Sequence, residues 1–329
     1  VAFRSFDRQK IIYDLRVIDF PRPALWQVRG QRQIFVSEQH AEPLGRGPGL
    51  VFSTHVPDMH HVNGRGGRVL PLYRDEAARS ANFAPGLIRV LSQRLDLPVT
   101  APDLLAYIAA VTAHGGYTAR FSEHLRTPGI RVPLTADPDL WRRAVSLGRR
   151  VIWLHTYGER FVEPGEGRPA GPPKPDSSSR AMVRVGIPGS AEAMPDDISY
   201  DAQTETLHVG GGRISPVLPE VWAYKVSGMR IIKKWFDYRK KNPGGRKSSP
   251  LDHIRTEEWP AEFTTELLRL LHVLTLCVKL EPEQADLLAQ ICDGPLVTVA
   301  DLEGSQVLPP PPSARKTPAA ESSDALTLL

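Results

Sequence analysis

Cysteine is nearly missing: only Cys277 and Cys292 occur among 329 residues, both in apolar, helix-patterned sequence. Two thiols make neither a disulfide scaffold nor a zinc site, so they read as reduced core residues of an intracellular, cytoplasmic protein. Long apolar runs are missing too. The longest, Leu267 to Leu280, is interrupted by Arg269, His272 and Lys279, and no stretch has a signal peptide's layout, so no membrane partner is expected. The chain opens at "VAFRSFDRQK" without a methionine and is read as a fragment or a trimmed product. Catalytic signatures are equally scarce. There is no Walker loop, no dinucleotide fingerprint, no Gly-x-Ser-x-Gly elbow and no paired-carboxylate motif, and no internal repeat that would announce a solenoid or propeller.

Charge of one sign is also lacking overall, with 41 Lys and Arg against 37 Asp and Glu. The balance is uneven along the chain. Residues 228–247, "GMRIIKKWFDYRKKNPGGRK", hold eight basic residues and one acid, Asp237, which leaves 33 basic against 36 acidic residues elsewhere. A local cluster on a slightly acidic background points to one polyanionic partner, nucleic acid before membrane. On a helical wheel Ile231, Ile232, Trp235 and Phe236 share one face, while Arg230, Lys233, Lys234 and Lys241 lie largely on the other. Asn242 to Gly245 end that helix and start a loop carrying Arg246 and Lys247. The same pattern also fits a solvated amphipathic face on which Asp237 pairs with Lys240 or Lys241. If the partner is nucleic acid, neutralising four or five phosphates predicts a log–log salt slope of roughly −4. Base reading would then fall to forked or amide side chains in loops: Asn63, Arg65, Arg68, Arg239 and Arg246.

Hydrophobic residues at 41% and charged residues at 24% suit a folded chain with real cores, not a disordered one. Residues 163–180, "EPGEGRPAGPPKPDSSSR", read as a linker or long exposed loop, and residues 305–329 as a disordered tail. Two lobes remain, roughly 1–162 and 181–304. The first offers strands at Lys10–Tyr13, Gln33–Ser37, Leu50–His55 and Arg68–Tyr73, then helices from Pro102, over Tyr117–Leu125 and over Asp139–His155. The second begins with hairpin sequence around Gly210–Gly212. Pro219 then opens a short helix, a helix follows over Thr264–Lys279, and another runs from Pro282 to just before Gly294. Strands first and helices afterwards predict an α+β fold.

Two constellations suggest chemistry. His55, His60 and His61 stand near a Gly-Arg-rich turn, as a stand-alone metal-dependent hydrolase would need, but adjacent histidines diverge and no acidic ligand follows at a known spacing. His155 beside Glu159 offers a general base, although a histidine at a helix end near aromatic residues is more often structural.

Four stretches, in order, resemble the C-terminal target-recognition region of type ISP restriction-modification enzymes, and more loosely that of related adenine-N6 DNA methyltransferases. They are "RSFDRQKIIYD" (4–14), "HHVNGRGGRVLPLYRD" (60–75), the run from "DLLAYIAAV" to "WLHTYGERF" (103–161) and "VWAYKVSGMRIIKKWFDYRKKN" (221–242). The likeness extends from Arg4 to about Leu302. Ser5 stands where the family often has proline, and Phe3 where it often has tyrosine. The resemblance implies that residues 1–20 form the exit from a methyltransferase domain and that the two lobes choose a double-stranded DNA target. It implies no catalytic residue and no cofactor in this chain, with S-adenosylmethionine expected on a partner or preceding methyltransferase domain that flips the target adenine. Carried over, Lys233, Lys234, Arg239, Lys240 and Lys241 match the family's basic helix and Trp235 its aromatic. An RNA binder remains an alternative, because a basic cluster alone does not select duplex DNA.

Overall fold

The computed structural model describes all residues except 15, 17, 19, 20, 41, 64–66, 245–253 and 317–329. A two-stranded ribbon, β1 (Ala2–Arg4) and β2 (Asp7–Arg8), opens the chain and leads to a short helix, α1 (Pro23–Gln27). Next comes an antiparallel sheet of β3 (Phe35–Gln39), β4 (Leu50–Ser53) and β5 (Gly67–Pro71) in the order β4-β3-β5. Every residue of the central β3 is buried, whereas the edge strand β5 exposes alternate positions, Arg68 and Leu70. That alternation gives β5 one face turned to the outside.

Helices α2 (Leu87–Leu95), α3 (Ala101–Thr112), α4 (Gly115–Arg120) and α5 (Pro138–His155) follow. α3 starts where a reciprocal Thr100–Asp103 capping box satisfies the first amides, and α5 where the Asp137 carboxylate accepts from the amides of Asp139 and Leu140. Both expected helices form because small residues let them touch: a Cβ on Gly148 would sit 1.7 Å from the Ala106 carbonyl oxygen. Beside that contact Tyr107 stacks on Trp141 with centroids 4.5 Å apart.

A second antiparallel sheet has the order β6-β9-β8-β7, from β6 (Met182–Val185), β7 (Ile198–Asp201), β8 (Thr206–Val209) and β9 (Gly212–Ser215). Leu207, Val209 and Ile214 cover the core from its inner face. α6 (Pro219–Trp222), a hairpin of β10 (Lys225–Val226) and β11 (Met229–Arg230), and α7 (Ile231–Asp237) lead to the long α8 (Ala261–Asp293). α9 (Val299–Gly304) and α10 (Pro312–Arg315) end the described chain. The architecture is α+β.

Several expectations are corrected. Residues Lys10–Tyr13 form no strand: Ile11, Ile12 and Tyr13 project outward, 46%, 81% and 38% exposed. The helices expected on either side of Pro282 are one, because Leu274, Leu280, Gln284 and Leu288 bury a continuous face that outweighs the backbone bond proline removes. Residues 163–180 are mostly exposed but tied down: Trp153 Nε1 donates to the Pro169 carbonyl at 3.0 Å, and buried Arg168 donates to that of Phe161 at 2.8 Å. The start of the expected tail is packed too, with Val307 1% exposed and Arg74 donating to the Ala314 carbonyl. Residues 317–329 lie outside the described chain. One apolar core runs from Phe6 to Val307, and a small second cluster of Val28, Phe35 and Val56 sits apart from it. No helix among the described residues is long and apolar enough to cross a membrane.

Candidate nucleic-acid interface

The basic stretch folds as a hairpin and two turns of helix rather than one long helix. Ser227 and Gly228, the central residues of the β10–β11 turn, both take positive φ, 46° and 81°. α7 covers seven residues and buries Ile231, Ile232, Trp235 and Phe236, the apolar face expected from the sequence. Trp235 and Phe236 meet Trp259 at centroid distances of 6.2 and 6.1 Å, so the tryptophan is a core anchor.

The charged face does not form one row. Arg239 points inward: its guanidinium is 5% exposed, donates to both Asp7 oxygens at 2.7 and 3.1 Å and to Glu266 at 3.1 Å, and lies over the Trp235 ring. All that hydrogen bonding goes to protein, so Arg239 leaves the set of side chains able to meet DNA. Lys240 and Lys241 border Asp196, whose carboxyl pKa is lowered chiefly by hydrogen bonds from Asn242 and then by these two lysines. Lys241 Nζ also donates to the Glu192 carbonyl at 3.0 Å. Lys234 lies over the Tyr238 ring, and Lys233 stays exposed beside Trp222. Arg65, Arg246 and Lys247 lie outside the described residues.

Two loops converge on the hairpin turn through three hydrogen bonds. Asn63 Nδ2 donates to the Ser227 carbonyl at 2.8 Å, the Gly45 amide donates to Ser227 Oγ at 3.2 Å, and the Gly228 amide donates to the Arg46 carbonyl at 2.9 Å. A Cβ on Gly47 would stand 1.9 Å from the Lys225 carbonyl oxygen, so only glycine allows this approach. Asn63, expected at a base edge, therefore spends its amide on a tether. The tether brings Arg46, Lys225 and Arg230 around one open groove of about 770 Å³, with Glu220 and Glu281 also on its walls. None of the three cations has an ion pair among the described residues. Sequence reasoning missed Arg46 and Lys225; the one available signal was a lone arginine between two glycines.

Arg68 lies on the outward face of β5. Its Nη2 donates to His40 Nε2, and its Nη1 stands 3.4 Å from Glu38 Oε1.

The histidines have separate partners. His55 Nδ1 meets the Thr54 hydroxyl at 2.9 Å, His60 Nδ1 lies 3.3 Å from Asp58, and buried His61 meets the Ser37 hydroxyl at 2.9 Å. His155 accepts the Phe52 amide hydrogen at Nδ1, which occupies the lone pair a base would use. Burial raises the Glu159 carboxyl pKa, but the Thr54 hydroxyl and Arg8 outweigh it and leave the net shift downward. Among the described residues no group of three or more His, Cys, Asp or Glu is placed to hold a metal. This geometry gives the hydrolase reading no centre.

Burial lowers His61 and His155 to about 3, and His55 and His114 to about 4. Unfolded, they titrate near ~6.5. Between those values the unfolded chain binds more protons, so stability is full above about pH 6.5 and is lost as pH falls toward 4. The urea midpoint is expected to hold from pH 7.5 to about 6.5 and then to drop steadily toward pH 5; a flat profile below about pH 6.5 contradicts the neutral burial of these rings.

The model of the type ISP C-terminal specificity domain matches residues 1–270. The chain belongs to this family. A specificity domain selects a DNA target, so the chain is a DNA-recognition module. None of the curated proteins matches it. Among solved structures the specificity domain is similar to the cryoEM structure of a DrdV–DNA complex: TM-score 0.63, 16% identity, 88% of this chain and 28% of that one. It is similar also to a nuclease-deletion mutant of the type ISP restriction-modification enzyme LlaGI in complex with a DNA substrate mimic, at TM-score 0.55 and 15% identity, over 86% of this chain and 20% of that one. The ATP-dependent type ISP enzyme LlaBIII bound to DNA gives TM-score 0.55 and 15% identity over 86% and 18%. At such identities the likeness is one of fold, and the specificity domain spans between 18% and 28% of those chains.

Within the specificity domain, two of the stretches that carried the resemblance are joined. Arg4 donates to Tyr238 Oη at 2.9 Å and to Asp58 at 2.8 Å, and Asp7 holds Arg239. Ser5, the departure from proline, donates to the His61 carbonyl at 2.6 Å. Residues 4–8 and 235–239 are thus bonded to one another through the Arg4–Tyr238 and Asp7–Arg239 contacts.

Proposed function

We propose that the specificity domain binds its double-stranded target sequence-specifically along the face that carries Arg46, Lys225, Arg230 and Lys233. The observation that carries this reading is the convergence of three cations without ion pairs among the described residues on one open groove. Phosphate oxygens are their natural partners, and such contacts fix the register of the duplex without reading it. Lys240 and Lys241, bordered by Asp196, contribute less.

The module serves a larger cytoplasmic restriction-modification enzyme. An adenine-N6 methyltransferase domain or subunit supplies S-adenosylmethionine and the reaction, while this chain holds the flanking duplex. Support comes from the likeness of residues 4–14 to a methyltransferase exit and from the fold shared with DNA-bound type ISP restriction-modification enzymes. Competition tests the partner class. With the full chain on a labelled duplex at fixed salt, unlabelled duplex is expected to displace the label well before structured RNA does; equal displacement contradicts the reading.

A further inference from the structure

Two kinds of cation occur in the described chain, and they differ in how they are held. Arg46, Lys225 and Arg230 have no ion pair among the described residues, but Arg68 does. Its carboxylate partner, Glu38, is 6% exposed, and Glu38 Oε2 also accepts the Ile130 amide at 3.4 Å, so Glu38 is fixed from a second element. His40 completes the arrangement. It accepts from Arg68 with Nε2, which leaves its proton on Nδ1, 3.3 Å from Glu38 Oε1. The arginine's own side chain remains 47% exposed on the outward face of an edge strand.

This arrangement suits reading better than anchoring. A guanidinium matched by a buried carboxylate has little net charge to attract a phosphate. It keeps its remaining N–H donors in a plane set by two neighbours, and a fixed planar fork is what the O6 and N7 acceptors of guanine select. Pre-orientation also reduces the side-chain entropy lost on binding. The geometry points to Arg68 as a specificity-determining residue that recognises a guanine in the major groove of the target, with His40 as the positioning residue that holds its fork. This assignment rests on the DNA-recognition reading above and names the base that reading left open.

Selection from a randomised duplex pool, using the full chain, tests it. The unaltered chain is expected to enrich a motif with an obligatory guanine. Arg68→Ala and Arg68→Lys should each lose the preference at that position by about tenfold or more while keeping the others, because lysine restores charge but not the fork. His40→Ala should relax the same position by a smaller factor and no other. A phosphate anchor behaves differently: its loss weakens every duplex alike and reduces the salt slope by about one. If Arg68→Ala keeps the whole motif, or loses affinity uniformly, the Arg68 assignment falls alone. If the unaltered chain enriches no motif, the DNA-recognition reading falls and this assignment with it. Unchanged thermal midpoints in all three variants separate a lost contact from a lost fold.

Discussion

Arg239→Met is expected to destabilise the protein by about 3–5 kcal/mol, measured as the change in unfolding free energy from urea titration. The magnitude comes from what stays behind. Asp7 is 2% exposed, and both of its oxygens accept from this guanidinium, so removing the cation strands an ionised carboxylate in the core. Glu266, 41% exposed, can turn to water and adds little to the cost. Asp7→Leu combined with Arg239→Met should recover much of the loss, because a buried ion pair gains little over apolar side chains of similar volume. A cost below about 1 kcal/mol for the single change would mean that the pair is open to water. The effect should barely respond to salt, unlike DNA binding.

The sequence pattern carries local information well and distant partners poorly. The apolar face Ile231, Ile232, Trp235 and Phe236 was legible because helical periodicity alone defines it. The fate of the cations interleaved with it was not. Asp7 lies 232 residues from Arg239, and nothing in the spacing of lysines and arginines says that one of them faces inward. The same limit explains α8. Pro282 is a strong local stop signal, and the burial that overrides it comes from the helices it packs against. Strands β3 to β5 were legible as short extended runs between Gly- and Pro-rich turns, yet which of them forms the edge depends on pairing order, and that order is what turns Arg68 outward. Arg46 offered only its flanking glycines. Their purpose is evident once Gly47 is seen against the Lys225 carbonyl.

The groove makes a second large prediction, and it concerns salt rather than stability. Arg46→Ala, Lys225→Ala and Arg230→Ala together should flatten the log–log dependence of duplex affinity on salt by about 2.7, about 0.9 for each phosphate no longer neutralised. Affinity at low salt should fall for every sequence alike, since a phosphate contact carries no base information. Arg46 and Arg230 are exposed and Lys225 half-buried, none with an ion pair among the described residues, so the folded state should tolerate the changes and the thermal midpoint should hold. The control is Lys240→Ala with Lys241→Ala, two cations that stand closer together in sequence but border Asp196. Releasing them from that carboxylate offsets part of what they give to DNA, so their joint effect on the slope should be smaller per charge removed. The reverse order, with the lysine pair flattening the slope more than the groove triple, would place the duplex on the far end of the basic stretch and remove the groove from the interface.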